Sequence, residues 1–323
     1  MKRALICGVT GQDGSYLARL LCEKSYEVWG TSRDSQIANA GNLRALRVER
    51  EVRMLSMAQT DFRSVLNTLS RAEPDEIYLL SGQSSVGLSF DQPAESMESI
   101  ALGVLNVLEA MRFLGISGRL YHASSSECFG DVGTARANES TPFRPRSPYG
   151  VAKASAHWLV TNYREAYNLF CCNGILFNHE SPLRPARFVT KKIVSAACRI
   201  KNGSHERLSL GRLDVTRDWG WAPDFVDAMW RMLQKDEPDD FVIATGISHS
   251  LEHFVDSVFG HLGLEWRAHV DIDESLFRPS DIAASMADPS KAERVLPWKS
   301  GTPFPMLIRH LVTAELEGQR ATS

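Results

Sequence analysis

The sequence predicts a doubly wound α/β protein, in which helices cover both faces of a parallel sheet and a smaller domain is attached. Three observations support this fold class. Short apolar runs alternate with amphipathic stretches through the first half, a glycine-rich turn directly follows the first run, and the alternation stops after Phe177. The 323 residues, 43% of them hydrophobic, are enough to bury a large core.

The alternating half of the chain sets the order of the predicted elements. A short apolar run bounded by turn residues is typical of a buried strand, and a longer amphipathic stretch is typical of a helix. The predicted strands cover residues 4–7, 27–32, 52–55, 76–80, 119–123, 171–176 and 241–244. The predicted helices cover residues 13–24, 62–72, 99–114 and 147–167. Seven strands joined by helical crossovers make a parallel, doubly wound sheet.

The second half predicts a domain built from interleaved segments. Residues 178–187 are rich in proline and polar side chains, a helix and the segment 208–219 follow, and beyond residue 251 we expect short elements and loops. The predicted division assigns residues 1–176 and about 216–247 to the sheet domain, and residues 177–215 and 248–323 to the smaller one. The smaller domain is expected to close over the strand ends, where such folds bind ligands.

Composition excludes several classes of function. A net charge of -3 and a pI near 6.3 argue against a general nucleic-acid binder. No stretch reads as a signal peptide or as a membrane span. The six cysteines show no metal-ligand spacing, so we expect buried free thiols and no metal site. These features predict a soluble cytoplasmic protein.

A glycine-rich turn follows the first predicted strand and opens the first predicted helix. Its sequence is Gly8-Val9-Thr10-Gly11-Gln12-Asp13-Gly14. Glycines permit a tight turn and a close approach of the backbone to a pyrophosphate, and the start of the helix offers free N–H groups to the phosphates. The sequence therefore predicts a dinucleotide site. At the end of the second strand, Arg33 favours a 2′-phosphate and hence NADP, whereas Asp34 favours NAD, and both cofactors stay open.

A second group of residues predicts proton and hydride chemistry. Tyr149 and Lys153 are four residues apart on one predicted helix, so they share a face, and the lysine is expected to lower the pKa of the tyrosine. Ser125, at the end of the fifth strand, is placed to hydrogen-bond a reacting oxygen. Glu127 adds a second acid/base that plain alcohol oxidation does not need, and it can remove a proton alpha to a carbonyl.

With these motifs the chain resembles the extended short-chain dehydrogenase/reductases and, within them, the GDP-mannose 4,6-dehydratase family. The resemblance extends over nearly the whole length and rests on the glycine-rich turn and on five further runs. These are Gly82-Gln83-Ser84-Ser85-Val86, Ala123-Ser124-Ser125-Ser126-Glu127, Pro145-Arg146-Ser147-Pro148-Tyr149-Gly150, Gly174-Ile175-Leu176-Phe177-Asn178-His179-Glu180-Ser181-Pro182 and Arg217-Asp218-Trp219-Gly220.

The resemblance implies a reaction on GDP-mannose with no net redox change. The sugar is oxidised at C4 with Tyr149 as base, assisted by Lys153 and Ser125. Glu127 then removes the C5 proton, water leaves from C6, and C6 is reduced by the hydride that NADP has kept. The expected catalytic residues are therefore Ser125, Glu127, Tyr149 and Lys153.

The resemblance also implies two sets of binding residues. The expected cofactor contacts are Gly8, Thr10, Gly11, Gln12, Asp13, Gly14, Arg33, Ser81, Gln83, Ser85, Tyr149, Lys153, His179 and Arg184. The expected contacts to the nucleotide sugar are Ser85, Glu127, Asn178, Lys192, Arg217 and Arg278. The basic residues suit a diphosphate.

The chain departs from the family pattern at several positions. Ser125 stands where the family usually has Thr, and Arg33-Asp34 stands where it usually has two arginines, in a loop that also helps to join subunits of the tetramer. Ala58-Gln59 replaces a pair that touches adenine, and Pro185 replaces a glycine. The family run Arg-Pro-Thr-Glu-Val-Asp appears as Arg278-Pro279-Ser280-Asp281-Ile282-Ala283. These positions affect cofactor preference, cofactor affinity and assembly.

Three alternatives stay open at this point. The substrate can be a related nucleotide sugar, or the chain can be a nucleotide-sugar epimerase or ketoreductase, which usually lacks a glutamate at the Glu127 position. A cofactor-binding sensor without catalysis is the third. A homodimer or a homotetramer is expected, and the sequence does not choose between them.

Overall fold

The computed structural model of the chain describes residues 1–322. Its strands are β1 Arg3–Cys7, β2 Glu27–Ser32, β3 Val52–Ser56, β4 Glu76–Leu79, β5 Arg119–Ser125, β6 Cys171–Leu176, β7 Asn178–Glu180, β8 Leu208–Leu210, β9 Thr216–Trp221, β10 Phe241–Ile243, β11 Ser248–Ser250 and β12 Val270–Ile272. Its helices are α1 Gln12–Glu23, α2 Gly41–Ala45, α3 Phe62–Ala72, α4 Val86–Asp91, α5 Pro93–Ser96, α6 Gly103–Leu114, α7 Pro148–Tyr167, α8 Val189–Lys201, α9 Ala222–Met232, α10 Leu251–His261, α11 Ser290–Val295 and α12 Phe304–Thr322. A π-helical segment, Met97–Leu102, joins α5 to α6.

The main sheet has seven strands in the order β10-β6-β5-β4-β1-β2-β3. Each neighbouring pair is parallel. The chain order reverses between β1 and β4, which opens a crevice at the carboxyl ends of these strands. The predicted doubly wound sheet is confirmed, and each predicted strand corresponds to one of its members.

Helices cover both faces of this sheet because its strands are apolar on both sides. Ala4, Leu5, Ile6 and Cys7 of β1 are all fully buried. Leu5 packs in a cluster with residues of α3, α6 and α7, whereas Ile6 packs in a cluster with residues of α1 and α9. Neighbouring positions on β1 thus point into opposite layers, as strand geometry requires.

A second body packs around two small sheets, β11-β9-β7 and β12-β8. Its hydrophobic cluster is separate from those of the main sheet and joins α8, α10 and α12, with Phe254 and Phe259 fully buried. We propose the expected division into a sheet domain and a smaller domain because these clusters are separate. Strand β9 lies at the boundary between the two proposed domains. Its Trp219 packs in the cluster of α8, α10 and α12, whereas the following helix α9 packs in a cluster of the main sheet.

The structure corrects the expectation for the C-terminal part. Residues beyond 251 include the 11-residue helix α10 and the 19-residue helix α12, instead of only short elements. The cysteines are free thiols, as predicted, and only Cys22 among them is half-buried instead of buried. In residues 1–322, no helix is long and apolar enough to cross a membrane. The same residues contain no cluster of His, Cys, Asp and Glu side chains suited to a metal ion.

Candidate active site

The glycine-rich turn lies where the backbone of β4 passes closest. Gly8 has a φ of +86°, and a Cβ there would lie 3.0 Å from the backbone of Ser81. A Cβ on Gly14 would lie 2.3 Å from the carbonyl oxygen of Gly8. Gly11 precedes α1 and provides no side-chain cap for the first turn. The turn is therefore a bare backbone cradle with helix N–H groups at its end, which fits a phosphate group.

An ion pair fastens this turn to β7. The Nε2 atom of His179 lies 2.9 Å from Oδ2 of Asp13, and the Nδ1 atom lies 2.7 Å from the carbonyl oxygen of Phe177. Both ring nitrogens face acceptors, so the imidazole is held as a cation. Burial opposes the charges, but the pair outweighs it, lowering the pKa of Asp13 to about 2 and raising the pKa of His179. Gln12 adds a second tie, because Ser181 Oγ donates to its Oε1 atom at 2.8 Å.

Strand β5 and helix α7 bring the four predicted catalytic residues together. Ser125 ends β5, and Glu127 follows in a single helical turn. Helix α7 starts at Pro148 because Ser147 caps it, accepting a hydrogen bond from the amide of Gly150 at 3.0 Å. Tyr149 is therefore in the first turn of α7, where it faces the end of β5.

The electrostatics of Tyr149 and Lys153 differ from expectation. Burial raises the pKa of Tyr149, while a hydrogen bond with Ser125 and the charge of Arg184 act in the opposite direction. The expectation that the pKa of Tyr149 lies below its ordinary value is wrong, because burial raises it. The ammonium of Lys153 instead donates to the carbonyl oxygen of Ala123 at 2.7 Å, and its Nζ atom lies 5.8 Å from the centre of the Tyr149 ring. Burial lowers the pKa of Lys153 to about 8.

Glu127 faces two arginines across the cavity. Burial raises the pKa of its carboxyl, whereas the charges of Arg217 and Arg278 lower it by less. Arg217 is buried and donates to the carbonyl oxygens of Thr216 and Ile282 at 2.9 and 2.8 Å. A carboxyl with a raised pKa in a cleft is suited to move protons near neutral pH.

A cavity of about 420 Å³ joins these groups at the carboxyl ends of the strands. The predicted site residues that line it are Asp13, Ser85, Ser125, Glu127, Tyr149, Lys153, Asn178, His179, Arg184, Lys192, Arg217 and Arg278. The other predicted cofactor residues adjoin the cavity in the connections after β1, β2 and β4 or in the first turn of α1. The connections contain Gly8, Thr10, Gly11, Arg33, Ser81 and Gln83, and α1 contains Gln12 and Gly14.

The turns after β2 and β4 differ in how firmly they are held. Gln83 donates to the carbonyl oxygen of Ser85 at 2.7 Å, and Ser85 caps α4. Arg33 is exposed and lies 4.0 Å from Glu95. One carboxylate oxygen of Asp34 accepts a hydrogen bond from the amide of Gln36 at 2.8 Å and so stabilises the turn that contains both residues.

The remaining basic residues are held by groups at the mouth of the cavity. Arg184 lies 3.2 Å from Glu180 and stacks 3.9 Å above the Phe188 ring. Lys192 donates to the carbonyl oxygen of Ser209 at 2.7 Å.

Asp281 was not predicted as a site residue, yet it lines the cavity and contacts both Arg217 and Arg278. Its position in the run 278–283, which departs from the family pattern, was the only sequence feature that drew attention to it.

Comparisons with known proteins identify the family. A model of the family described as GDP-mannose 4,6 dehydratase matches residues 5–311. GDP-mannose 4,6 dehydratase 2 of Arabidopsis thaliana is 47% identical over 326 residues, covering 98% of this chain and 87% of the relative. The Homo sapiens GDP-mannose 4,6 dehydratase is 44% identical, covering 98% and 92%. The Vibrio cholerae enzyme of the same name is 40% identical, covering 98% and 94%.

Solved structures at lower identity share the fold. A dTDP-glucose 4,6-dehydratase from Streptomyces venezuelae, solved with NAD, has a TM-score of 0.87 at 21% identity and covers 99% of this chain and 98% of that one. A Thermus thermophilus UDP-glucose 4-epimerase, also solved with NAD, has a TM-score of 0.86 at 24% identity and covers 97% and 98%. On the family match and the identities over nearly its whole length, the chain belongs to the GDP-mannose 4,6-dehydratase family.

Proposed function

We propose that this chain converts GDP-D-mannose to GDP-4-keto-6-deoxy-D-mannose by oxidation at C4, elimination of water across C5 and C6, and reduction at C6. Family membership supports the substrate and the reaction. The observation that carries the proposal is the presence of Glu127 in the same cavity as Ser125, Tyr149 and Lys153. Oxidation alone needs only the last three residues, whereas elimination needs a further acid/base.

The cofactor is a nicotinamide dinucleotide, with NADP favoured over NAD. The bare cradle at Gly8 and Gly14 fits its pyrophosphate, because a Cβ at either position would meet backbone atoms. Arg33 offers an exposed guanidinium to a 2′-phosphate, and an oxygen of Asp34 is already engaged by Gln36. Related folds have been solved with NAD and with NADPH. When bound, the cofactor supplies a hydride acceptor for C4 and a hydride donor for C6, so one molecule is recycled internally.

Tyr149 takes the C4 hydroxyl proton in its phenolate form. Ser125 steadies the reacting oxygen, and Arg184 favours the phenolate, whereas burial opposes it. Because burial dominates, the phenolate is the minor form at neutral pH. Its fraction rises with pH, as for any phenol, and the rate of C4 oxidation is expected to rise with it. Lys153 is positioned by the carbonyl of Ala123 and remains mostly cationic at pH 7, since its pKa is about 8.

Glu127 carries out the elimination. The keto group at C4 acidifies the C5 proton, the Glu127 carboxylate takes that proton, and the acid then protonates the departing C6 hydroxyl as water. The hydride later added at C6 is balanced by a proton that C5 takes from the solvent. The raised pKa of Glu127 suits both steps, because the group must accept and release a proton near neutral pH. Arg217, Arg278 and Lys192 are proposed to hold the diphosphate, with Asn178 and Ser85 completing the sugar-nucleotide contacts.

The test is incubation of the purified protein with GDP-mannose and a substoichiometric amount of NADP+, followed by mass spectrometry of the nucleotide sugar. We expect the loss of one water without accumulation of reduced cofactor. An unchanged mass with GDP-mannose, but loss of water from another nucleotide sugar, would reassign the substrate. A change of configuration at constant mass would point to an epimerase. Cofactor binding without turnover of any nucleotide sugar would indicate a sensor.

We also propose a homo-oligomer that forms through α6 and α7. These two helices lie on one face of the sheet, and their outer surface exposes Phe113 and Trp158, at 73% and 58% of their areas. Large exposed aromatic side chains on adjacent helices are typical of a protein interface. The free cysteines support a location in a reducing compartment such as the cytoplasm.

A further inference from the structure

Glu127 lies beside two arginines and is hydrogen-bonded to neither. The charges of Arg217 and Arg278 are the cationic influences on its carboxyl. Within residues 1–322, the hydrogen bond recorded for Glu127 runs from its backbone amide to Ser125 Oγ at 3.2 Å, and none reaches its carboxylate. A carboxylate that shares a cavity with two arginines can accept their N–H groups, so the groups that hold the arginines decide whether Glu127 is left free.

Asp281 accepts hydrogen bonds from both arginines on a single oxygen. Nη2 of Arg217 donates to its Oδ1 atom at 3.1 Å, and Nη1 of Arg278 donates to the same atom at 3.3 Å. The side chain of Asp281 is only 18% exposed and lines the cavity that contains Glu127. The two cations are therefore anchored on the side of the cavity that Asp281 occupies.

The backbone around Asp281 is fixed from two directions. The carboxylate of Asp131 accepts the amides of Ala283 and Ala284 at 3.2 and 3.4 Å. Thr216, the neighbour of Arg217, donates its amide to the carbonyl oxygen of Ala283 at 2.8 Å. The carboxylate of Asp281 also accepts the amide of Ile282 at 2.9 Å, so its side chain is tied to the backbone that runs beside β9.

We propose that Asp281 is a positioning residue that holds Arg217 and Arg278 away from Glu127, leaving the Glu127 carboxylate free to move the C5 proton. The inference rests on the proposed function, because it assumes that Glu127 is the proton-transfer group. Without the negative charge of Asp281, Glu127 would be the main remaining carboxylate that acts on Arg217, whose Nη2 atom would lose its charged acceptor. An arginine hydrogen-bonded to Glu127 would lower its pKa and occupy its lone pairs, so the base would weaken.

The charged and titratable groups that act on Glu127 come from several elements. Arg217 is on β9, Arg278 and Asp281 are in the segment after β12, Tyr149 is on α7, and Cys128 is adjacent in sequence. Among them, the carboxyl of Asp281 raises the pKa of Glu127, and the two arginines lower it. Asp281→Asn keeps the size and an acceptor oxygen but removes the negative charge, so this change isolates the electrostatic part.

The experiment compares wild type, Asp281→Asn and Asp281→Glu by steady-state kinetics across pH and by calorimetric titration with GDP. For Asp281→Asn we expect kcat to fall about tenfold and the acidic limb of its pH profile to move down by about one unit. GDP affinity should fall less than kcat does, because both arginines remain cationic but then divide their N–H groups between Glu127 and the diphosphate. In stopped flow, the reduced-nicotinamide absorbance should accumulate in this variant, because C4 oxidation proceeds while elimination is slow. Asp281→Glu should restore kcat and the position of the acidic limb.

Asp271→Asn is the matched control. It removes the same charge from an exposed residue that pairs with Arg207 at 2.6 Å and is not part of the cavity lining, so it should leave the profile unchanged. An unshifted acidic limb in Asp281→Asn, or an equal loss of kcat and GDP affinity, would overturn the positioning role while leaving the proposed reaction intact. Wild-type protein that does not dehydrate GDP-mannose, whether or not it binds GDP, would overturn the proposed function and with it the positioning role.

Discussion

Burial raises the pKa of both Glu127 and Tyr149, but only Glu127 also faces a pair of arginines. The two groups therefore respond differently to the same low-dielectric surroundings. Burial alone dominates at Tyr149, whereas at Glu127 the charges of Arg217 and Arg278 offset part of the rise in pKa that burial causes. This difference in the surroundings of the two groups suits the proposed division of roles, with Tyr149 as the base for C4 oxidation and Glu127 as the base for elimination.

Glu127→Gln should stop the reaction after C4 oxidation. The amide keeps the shape of the side chain but cannot accept the C5 proton, so turnover should fall by about two to four orders of magnitude. Reduced cofactor should accumulate on the protein in stopped flow, since oxidation by the Tyr149 group is retained. Tyr149→Phe is the companion variant, and it should show neither product nor reduced cofactor. Normal product formation by Glu127→Gln would remove this residue from the mechanism.

Asp13→Asn should destabilise the protein most strongly at mildly acidic pH. The carboxyl of Asp13 has a lowered pKa, so its contribution is present above about pH 4 and is lost as the pH falls toward 2. The imidazole of His179 has a raised pKa, so its contribution is present below about pH 6.5 and is lost as the pH rises through that raised value. Between these limits, the free energy of unfolding should fall by about 3 kcal/mol.

Urea denaturation across a pH series measures this dependence. At high pH the difference should shrink, because the neutral Nε2 atom of His179 can accept a hydrogen bond from the introduced amide. The control is the same comparison in a His179→Gln protein. Without the imidazole, the effect of Asp13→Asn on the free energy of unfolding should no longer shrink as the pH rises. A difference between wild type and Asp13→Asn that is constant from pH 5 to 9 would contradict the ion pair as the source of stability.

Most of the predicted site residues line one cavity, but the groups to which they hydrogen-bond could not be predicted from the sequence. The spacing of Tyr149 and Lys153 predicts a shared helix face, and both residues line the cavity. The bond from Lys153 to the carbonyl of Ala123 joins α7 to β5, which no local pattern encodes. Asp281 was missed for the same reason, since its importance arises only when β9 brings Arg217 beside it.

Gly14→Ala should disable the turn between β1 and α1. A Cβ at this position would lie 2.3 Å from the carbonyl oxygen of Gly8 and 2.7 Å from Cα of Val9, and both are backbone atoms that cannot rotate away. We expect a loss of about 1–3 kcal/mol in the free energy of unfolding and a larger loss of cofactor affinity. Fluorescence titration with NADPH and urea denaturation provide the two measurements.

Gly260→Ala is the control for this substitution. Gly260 lies within α10, and a Cβ there would meet nothing within 4 Å. Alanine is the better helix former, so this variant should gain about 0.5–1 kcal/mol and bind cofactor normally. Similar behaviour of the two variants would show that the turn tolerates a side chain.

Elements with a strong periodic pattern were predicted well, and short ones were not. The buried strand at β6 and the helix α7 agree with the sequence within one residue at each end. Strands β7, β8, β11 and β12 have only three residues each, too few for an alternating pattern to emerge. Their pairing depends on partners from distant parts of the chain, such as β7 with β9.

The exposed face of α6 and α7 should govern assembly of the whole molecule. Trp158→Glu would place a charge in the proposed interface, so the variant should elute as a smaller species than wild type in size-exclusion chromatography with light scattering. Ile247→Glu is the control, because Ile247 is 63% exposed in the turn before β11, away from these helices. An unchanged mass for Trp158→Glu would place the interface elsewhere, and an equal change in both variants would indicate a general loss of solubility.

The tie between α1 and β7 bears on the order in which a ribosome produces the protein. Asp13 and its partner His179 are 166 positions apart, and Gln12 likewise bonds to Ser181. At a synthesis rate of roughly 5–20 residues per second, the glycine-rich turn leaves the ribosome about 10 to 30 seconds before His179 and Ser181, which bond to it. During that interval the turn is held by nearby residues, such as Asn42, which donates to the carbonyl oxygen of Thr10 at 2.9 Å. The two long-range bonds to residues 179 and 181 are therefore added late, after the first six strands of the main sheet in chain order have been synthesised.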